Sequence, residues 1–239
     1  MGKIEFLDQQ GSFRVYQPED YSGLYFPLAG DGGLKSCITP TLGGDSKRDQ
    51  NHFLMEPVSI ENLHNNKNTR NFWCRIKNRG YWSACGSSAE AEFLRFTGEQ
   101  EKSVLEAGFM WQKLTRISRE YEMKAETTSF VTIDGTMEVM MTELTNTADQ
   151  EQKITPVAVI PLYGRSADNI RDHRHVRRCC TELKQKRMAW RCARCFPLMR
   201  GAIRKIRRSI LYMDLQERER RRKNSIRQRK CLSGKGEVT

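Results

Sequence analysis

The sequence predicts an all-β protein, an antiparallel sandwich, and three observations predict it. Short runs rich in aromatic and β-branched residues recur along the first 176 residues, punctuated by Gly, Pro, Asp and Asn. Two pairs of these runs read as hairpins. No stretch there sustains the 3.6-residue apolar stripe of an amphipathic helix. Taken in order, RVYQPEDYSGLYFPLAGDGG (14–33) alternates aromatic and polar residues around turn formers. NFWCRIKNRGYWSACGSS (71–88) holds two aromatic runs, 72–76 and 81–84, joined by Lys77, Asn78, Arg79 and Gly80 as a hairpin loop. The segment 89–96 reads equally as a short helix or as the start of another strand. SFVTIDGTMEVMM (129–141) is the clearest hairpin: 130–133 and 137–141 flank Asp134-Gly135, a pair suited to the positive φ angles of a type I′ turn. KITPVAVIPLYG (153–164) is a strand with a central apolar run, the kind buried between two layers. Trp73, Trp82 and Trp111 offer faces for stacking on sugar rings, although large aromatics more often fill cores.

Charge and cysteine divide the chain of 239 residues in two. The formal net charge is +12, yet residues 177–239 carry 21 Lys and Arg against five Asp and Glu, so residues 1–176 are mildly acidic. Cys37, Cys74 and Cys85 are scattered through the first part and read as small buried thiols of a reducing compartment, not a disulfide framework. Cys179, Cys180, Cys192, Cys195 and Cys231 lie in the basic part. MGKIEFLDQQ has no apolar signal region, Phe6 stands where a myristoylation motif needs Ser or Thr, and no apolar run reaches bilayer-spanning length. A soluble, cytoplasmic protein with no membrane partner is expected.

Several long phrases narrow the reading. YFPLAGDGGLKSCITPTLGGDSKRDQNHFLMEPVSIENLHNNKNTRNFWC (25–74), WSACGSSAEAEF (82–93), LEAGFMWQKLTR (105–116) and IPLYGRSADNIRDHRHV (160–176) resemble the N-terminal region of glycoside hydrolase family 94. These are the inverting cellobiose- and laminaribiose-type phosphorylases, formerly placed in glycosyltransferase family 36, and the laminaribiose branch is the most similar. The resemblance covers residues 1–176 and implies an antiparallel supersandwich, incomplete here. In the family a helical linker, an (α/α)6 barrel and a small β-domain follow. The barrel carries the general acid, and inorganic phosphate, a co-substrate and not a cofactor, attacks the anomeric carbon to release glucose 1-phosphate from a β-glucan disaccharide or oligosaccharide. No catalytic residue is therefore assigned in this chain, whose own status as an enzyme stays open.

The family's sandwich supports homodimers and places loops near the partner's active site. By that resemblance the substrate-side candidates are Asn51 and His52 in the loop 45–52, with Arg165, Asp168, Arg171, His173 and Arg174 in the loop 164–175. Such groups bind sugar hydroxyls or phosphate through charge-assisted hydrogen bonds. A salt-bridge network that merely holds the loop is the competing reading. Asp172, His173 and His175 are adjacent without a distant partner set, so no metal is expected.

After Val176 the resemblance stops. The family continues with phrases like TSLLHRI, FDERGHQKN and YFVYGFTGEGE. Leu-Leu-His-Arg-Ile written CTG CTG CAC CGA ATT and read one nucleotide later gives the residues at 179–183, and the same shift turns the other two phrases into LMRGAIRKI (198–206) and ILYMDLQERER (210–220). Residues 177–239 thus read as an out-of-frame translation, expected to be a helical or disordered basic tail that leaves the sandwich edges uncovered. Two other functions compete with this reading. One is a stand-alone carbohydrate-binding module. The other is nucleic-acid binding through QERERRRKNSIRQRK, for which selection is not expected, because any exposed basic run binds polyanions. CARC (192–195) with the nearby Cys and His residues fits no common zinc spacing.

Overall fold

Alternation of apolar and polar residues is carried through into alternating burial, and that alternation builds the protein. A computed structural model describes residues 3–21, 24–58, 69–95, 97–134 and 137–163, and further on the backbone of four strands at 181–186, 189–194, 209–213 and 227–234. The strands are β1 (Ile4–Phe6), β2 (Phe13–Tyr16), β3 (Phe26–Ala29), β4 (Lys35–Ile38), β5 (Ser46–Asp49), β6 (His52–Phe53), β7 (Asn71–Ile76) and β8 (Gly80–Ser83). They continue as β9 (Ser103–Gly108), β10 (Trp111–Ser118), β11 (Met123–Val131), β12 (Glu138–Asn146), β13 (Ile154–Val159), β14 (Thr181–Lys186), β15 (Ala189–Arg194), β16 (Ser209–Met213) and β17 (Arg227–Gly234). The α-helix among the described residues is α1 (Ala89–Phe93), opened by the Ser88 hydroxyl, which accepts from the Ala91 N–H at 2.9 Å.

All strand pairs are antiparallel. A ten-stranded sheet runs β1-β2-β9-β10-β11-β12-β17-β16-β15-β14, a four-stranded sheet β3-β4-β5-β6, and a three-stranded sheet β13-β7-β8. The all-β class read from the sequence is what the structure has. On β11, residues 123, 125, 127, 129 and 131 are buried and the residues between them are not. Leu105, Leu114, Met123, Ala125 and Leu144 from the large sheet meet Leu28, Ile38, Phe72, Cys74 and Trp82 from the smaller ones in one core. The opposite face of the large sheet is a solvated ladder, where Arg14 and Lys113 both reach the Glu106 carboxylate.

Both predicted hairpins form. In the first, β7 and β8 pair Ile76 with Gly80 across a loop in which Asn78 adopts φ 64°. In the second, β11 and β12 extend to a hydrogen bond from the Thr132 N–H to the Met137 carbonyl at 2.9 Å. Gly135 lies outside the described residues. The segment at 89–93 resolves as helix.

Two expectations are corrected. The strand at 154–159 is not buried between layers. It is the edge of the three-stranded sheet, alternately half-buried and exposed, with Val157 at 46% and Val159 at 45% exposure. Pro156 accounts for this, since it lacks a ladder donor and is tolerated at an edge. The tail is also not helix at its four described segments. β17 pairs onto β12, with an irregularity between Met141 and Glu143, and β16, β15 and β14 follow outward. The bare edge of a long strand offers a row of unpaired backbone groups, and pairing with it needs extended backbone, not period-two side chains. No helix among the described residues is long and apolar enough to cross a membrane.

The thiols of Cys74 and Cys85 are buried at 0% exposure and unbridged, and burial pushes both up to about 12. Cys37, only half-buried, is raised by burial and by Asp45 to about 11. None of the three is a ready nucleophile at neutral pH.

Candidate cleft at the end of the sandwich

The end of the large sheet where β10 turns into β11 carries a cleft of about 1320 Å³. Its walls are the outer side of β7 and β8, helix α1, the segment 98–103 and the turn 119–121. Period two explains why β7 contributes to it: Phe72, Cys74 and Ile76 point into the core, leaving Trp73 on the other side. Trp82 on β8 is 3% exposed, so its role is core packing with one edge at the cleft. Trp111 does not line it.

The floor is built from charged groups that hold one another. Glu101 accepts from the Trp82 indole N–H at 3.0 Å and from Arg116 Nη2 at 2.9 Å. Arg116 is 7% exposed, and its Nε has no partner among the described residues. Its guanidinium lies against Gly86, whose φ of +75° and missing Cβ let the backbone approach it. Asn71, Ser83 and Ser87 form a second cluster: the Ser83 hydroxyl donates to Asn71 Oδ1 at 2.8 Å, and the Asn71 amide donates to the Ser87 carbonyl at 2.6 Å. On the far wall the Glu19 carboxylate accepts from the Ser103 N–H at 3.0 Å and from its hydroxyl at 2.7 Å. Tyr121, in the β10–β11 turn, is 7% exposed. Burial first, then the carboxylates of Glu120, Glu90 and Glu101, raise its phenol above the usual value.

Chemically the cleft joins aromatic and apolar surface with fixed hydrogen-bonding groups, the mixture of a small-molecule site. Its volume lies at or beyond the usual range of about 300–1,000 Å³. Among the described residues, no group of three His, Cys, Asp or Glu is placed to hold a metal ion.

Asn51 and His52 are elsewhere. They sit on the β5–β6 hairpin, exposed, and do not line the cleft. Asp49 organises both, accepting from the His52 ring Nδ1 at 2.7 Å and from the Asn51 N–H at 2.8 Å. These two hydrogen bonds, His52 first, hold its carboxyl below the ordinary range. The geometry is that of a self-contained turn. Arg165, Asp168, Arg171, His173 and Arg174 lie outside the described residues.

The sequence reading missed Glu101, Arg116 and Tyr121. Arg116 had a signal: in WQKLTRIS it shares the strand parity of Leu114 and so points inward, where a charge needs a partner. Glu101 had none, since it precedes β9 in an irregular segment. In comparisons with known proteins, no family model and no curated protein matches this chain.

Proposed function

We propose that this chain is the non-catalytic β-sandwich of an inverting β-glucoside phosphorylase, and that the cleft is where it holds a β-glucan oligosaccharide. The family part of this reading rests on the sequence resemblance over residues 1–176. The glycan part rests on one observation, the co-location of Trp73, Tyr121, the Asn71–Ser83 pair and the Glu101–Arg116 pair around one cleft. Aromatic faces pack on the apolar faces of pyranose rings, while amide, carboxylate and guanidinium groups match their hydroxyls. Phosphorolysis belongs to the barrel, so this chain alone releases no glucose 1-phosphate.

Titration calorimetry with cello- and laminari-oligosaccharides tests the reading. Binding is expected, and Trp73→Ala is expected to weaken it about tenfold, the equivalent of about 1.4 kcal/mol. Trp73 is half-buried on the outer side of its sheet, so the variant should still fold. Absence of binding by the folded chain, or Trp73→Ala binding like the wild type, sinks the assignment of the cleft. Release of glucose 1-phosphate by the chain alone sinks its non-catalytic status.

A further inference from the structure

We propose that the free edge of β1 pairs with β1 of a second copy of this chain, antiparallel and centred on Ile4, so that two ten-stranded sheets join into one. The pairing is independent of what the cleft holds.

β1 ends the large sheet, with β2 on one side and no strand on the other among the described residues. The Tyr16 N–H donates to the Lys3 carbonyl at 3.0 Å, and the Leu7 N–H donates to the Ser12 carbonyl at 2.8 Å. Residues 3, 5 and 7 therefore turn their backbone groups toward β2, while Ile4 and Phe6 turn theirs outward. Neither Pro nor a bulge blunts this edge. The Ile4 and Phe6 side chains lie on the core face of the sheet, in the cross-strand rows of Val15–Leu105 and Phe13–Ala107. Val15, Leu105 and Ala107 are at most 1% exposed, whereas Ile4 is 55% and Phe6 74% exposed. The covering sheets thus stop short of β1 and leave a strip of core face open along the bare edge.

Charge selects the occupant and the register. A two-fold axis normal to the sheet keeps both core faces on one side, so the register can shift only in steps of two. Centred on Ile4, the two Ile4 residues exchange both backbone hydrogen bonds. Each Lys3 then stands opposite the partner's Glu5, in the closer, non-hydrogen-bonded kind of pair. Each Phe6 lies diagonal to the partner's Ile4, which makes a continuous apolar strip. Glu5 accepts from the Tyr16 hydroxyl at 3.2 Å and has lone pairs left for a lysine. Shifted one way, Glu5 faces the partner's Glu5. Shifted the other way, Ile4 faces the partner's Asp8, whose carboxylate already holds the Gln10 and Ser12 N–H groups at 2.8 and 2.9 Å. One register alone matches charge to charge and apolar to apolar. A strand of three residues buries little surface, so the pair is weak, with a Kd on the order of 10 µM.

Sedimentation velocity of the full chain, over about 1–200 µM to bracket that Kd, tests the pairing. A monomer–dimer equilibrium is expected. Ile4→Pro deletes an outward N–H and spares the ladder to β2, so it should give a monomer with an unchanged thermal midpoint. Lys3→Glu should weaken the dimer about tenfold, and Lys3→Glu with Glu5→Lys should restore it, because the swap re-forms both pairs. Should Ile4→Pro lower the midpoint, the charge swap decides. A monomer at every concentration overturns the proposal, as does a dimer that a folded Ile4→Pro variant leaves intact. A charge swap no better than the single variant overturns the register. Open-ended assemblies in place of dimers overturn the second β1 as occupant, in favour of the bare β14 edge at the other end of the sheet.

Discussion

Arg70→Met is expected to lower folding stability by about 3–5 kcal/mol, a large share of the 5–15 kcal/mol that a domain of this kind holds. Arg70 precedes β7, is 1% exposed, and spends every guanidinium donor on a partner. Nε donates to the Glu138 carboxylate. Nη1 reaches the Gly43 carbonyl at 3.2 Å and the Leu42 carbonyl at 3.4 Å, and Nη2 reaches the Asp45 carbonyl at 3.0 Å, Ser36 Oγ at 3.3 Å and the other Glu138 oxygen at 3.2 Å. One side chain thus ties the three-stranded sheet, the four-stranded sheet and β12 of the large sheet together. Methionine fills the volume but strands a buried carboxylate, and it takes the second donor from three carbonyls that keep the Arg70, Thr39 and Cys37 N–H groups. The double variant Arg70→Met/Glu138→Leu should recover about 1–3 kcal/mol relative to the sum of the singles, and not more, because the guanidinium's hydrogen bonds to Ser36 and the three carbonyls are still lost. Urea titrations read this as a lower midpoint at unchanged slope. A shift within about 0.5 kcal/mol of wild type would show that the pair bridges nothing.

The same cluster sets the response to acid. Burial pushes the Glu138 carboxyl upward, but the Arg70 charge and the hydrogen bonds from Arg70 and Ser36 outweigh it, and its pKa ends below the usual range. A depressed carboxylate contributes stability that is fully present above its unfolded value of about 4.3 and is lost as pH falls through the folded value. Asp45, buried beside it and facing Lys47 at 3.7 Å, is raised by desolvation and acts with the opposite sign. Its ionised form is disfavoured in the fold, so protonation relieves it. Stability should therefore fall below about pH 4 in the wild type. Glu138→Gln should flatten that fall, and Asp45→Asn should steepen it.

What the sequence disclosed and what it hid have physical causes. Hairpins were legible because their signals are local: Asn78-Arg79-Gly80 needs only its own backbone angles. Cys74 and Trp82 were legible as core because residue type and strand parity agree there. The burial of 154–159 was misjudged because an apolar run looks alike at an edge and in the middle of a sheet, and only Pro156 distinguishes them. The pairing of β17 with β12 was invisible, since a backbone ladder leaves no pattern in side chains. The cleft was hidden for a similar reason: Glu101, Arg116 and Tyr121 come from three segments brought together by the turn of the large sheet. Arg70 carried no visible sign that it is the residue on which three sheets meet, because its partners lie between 25 and 68 positions away.

Gly44→Ala should be nearly as damaging as Arg70→Met, by about 3 kcal/mol or more, although the substitution adds one methyl group. Gly44 closes the loop between β4 and β5 at φ +101°, a conformation that L-residues rarely adopt. A Cβ there would run into the Cys37 carbonyl group, with the carbonyl carbon at 2.8 Å, and backbone has no rotamer with which to retreat. Gly33→Ala is the control: φ is +85° and nothing lies within 4 Å of the added atom, so only the dihedral penalty of about 1–2 kcal/mol applies. The difference between the two variants isolates the clash from the dihedral. The loop that Gly44 closes also supplies the Leu42 and Gly43 carbonyls to Arg70, while Cys37 N–H donates to the Asp45 carbonyl at 3.0 Å. Moving that loop to admit a methyl group must loosen the Arg70 cluster, so Gly44→Ala and Arg70→Met should be less than additive. Equal effects for Gly44→Ala and Gly33→Ala would mean that the loop yields freely, and full additivity with Arg70→Met would mean that it does not position the guanidinium.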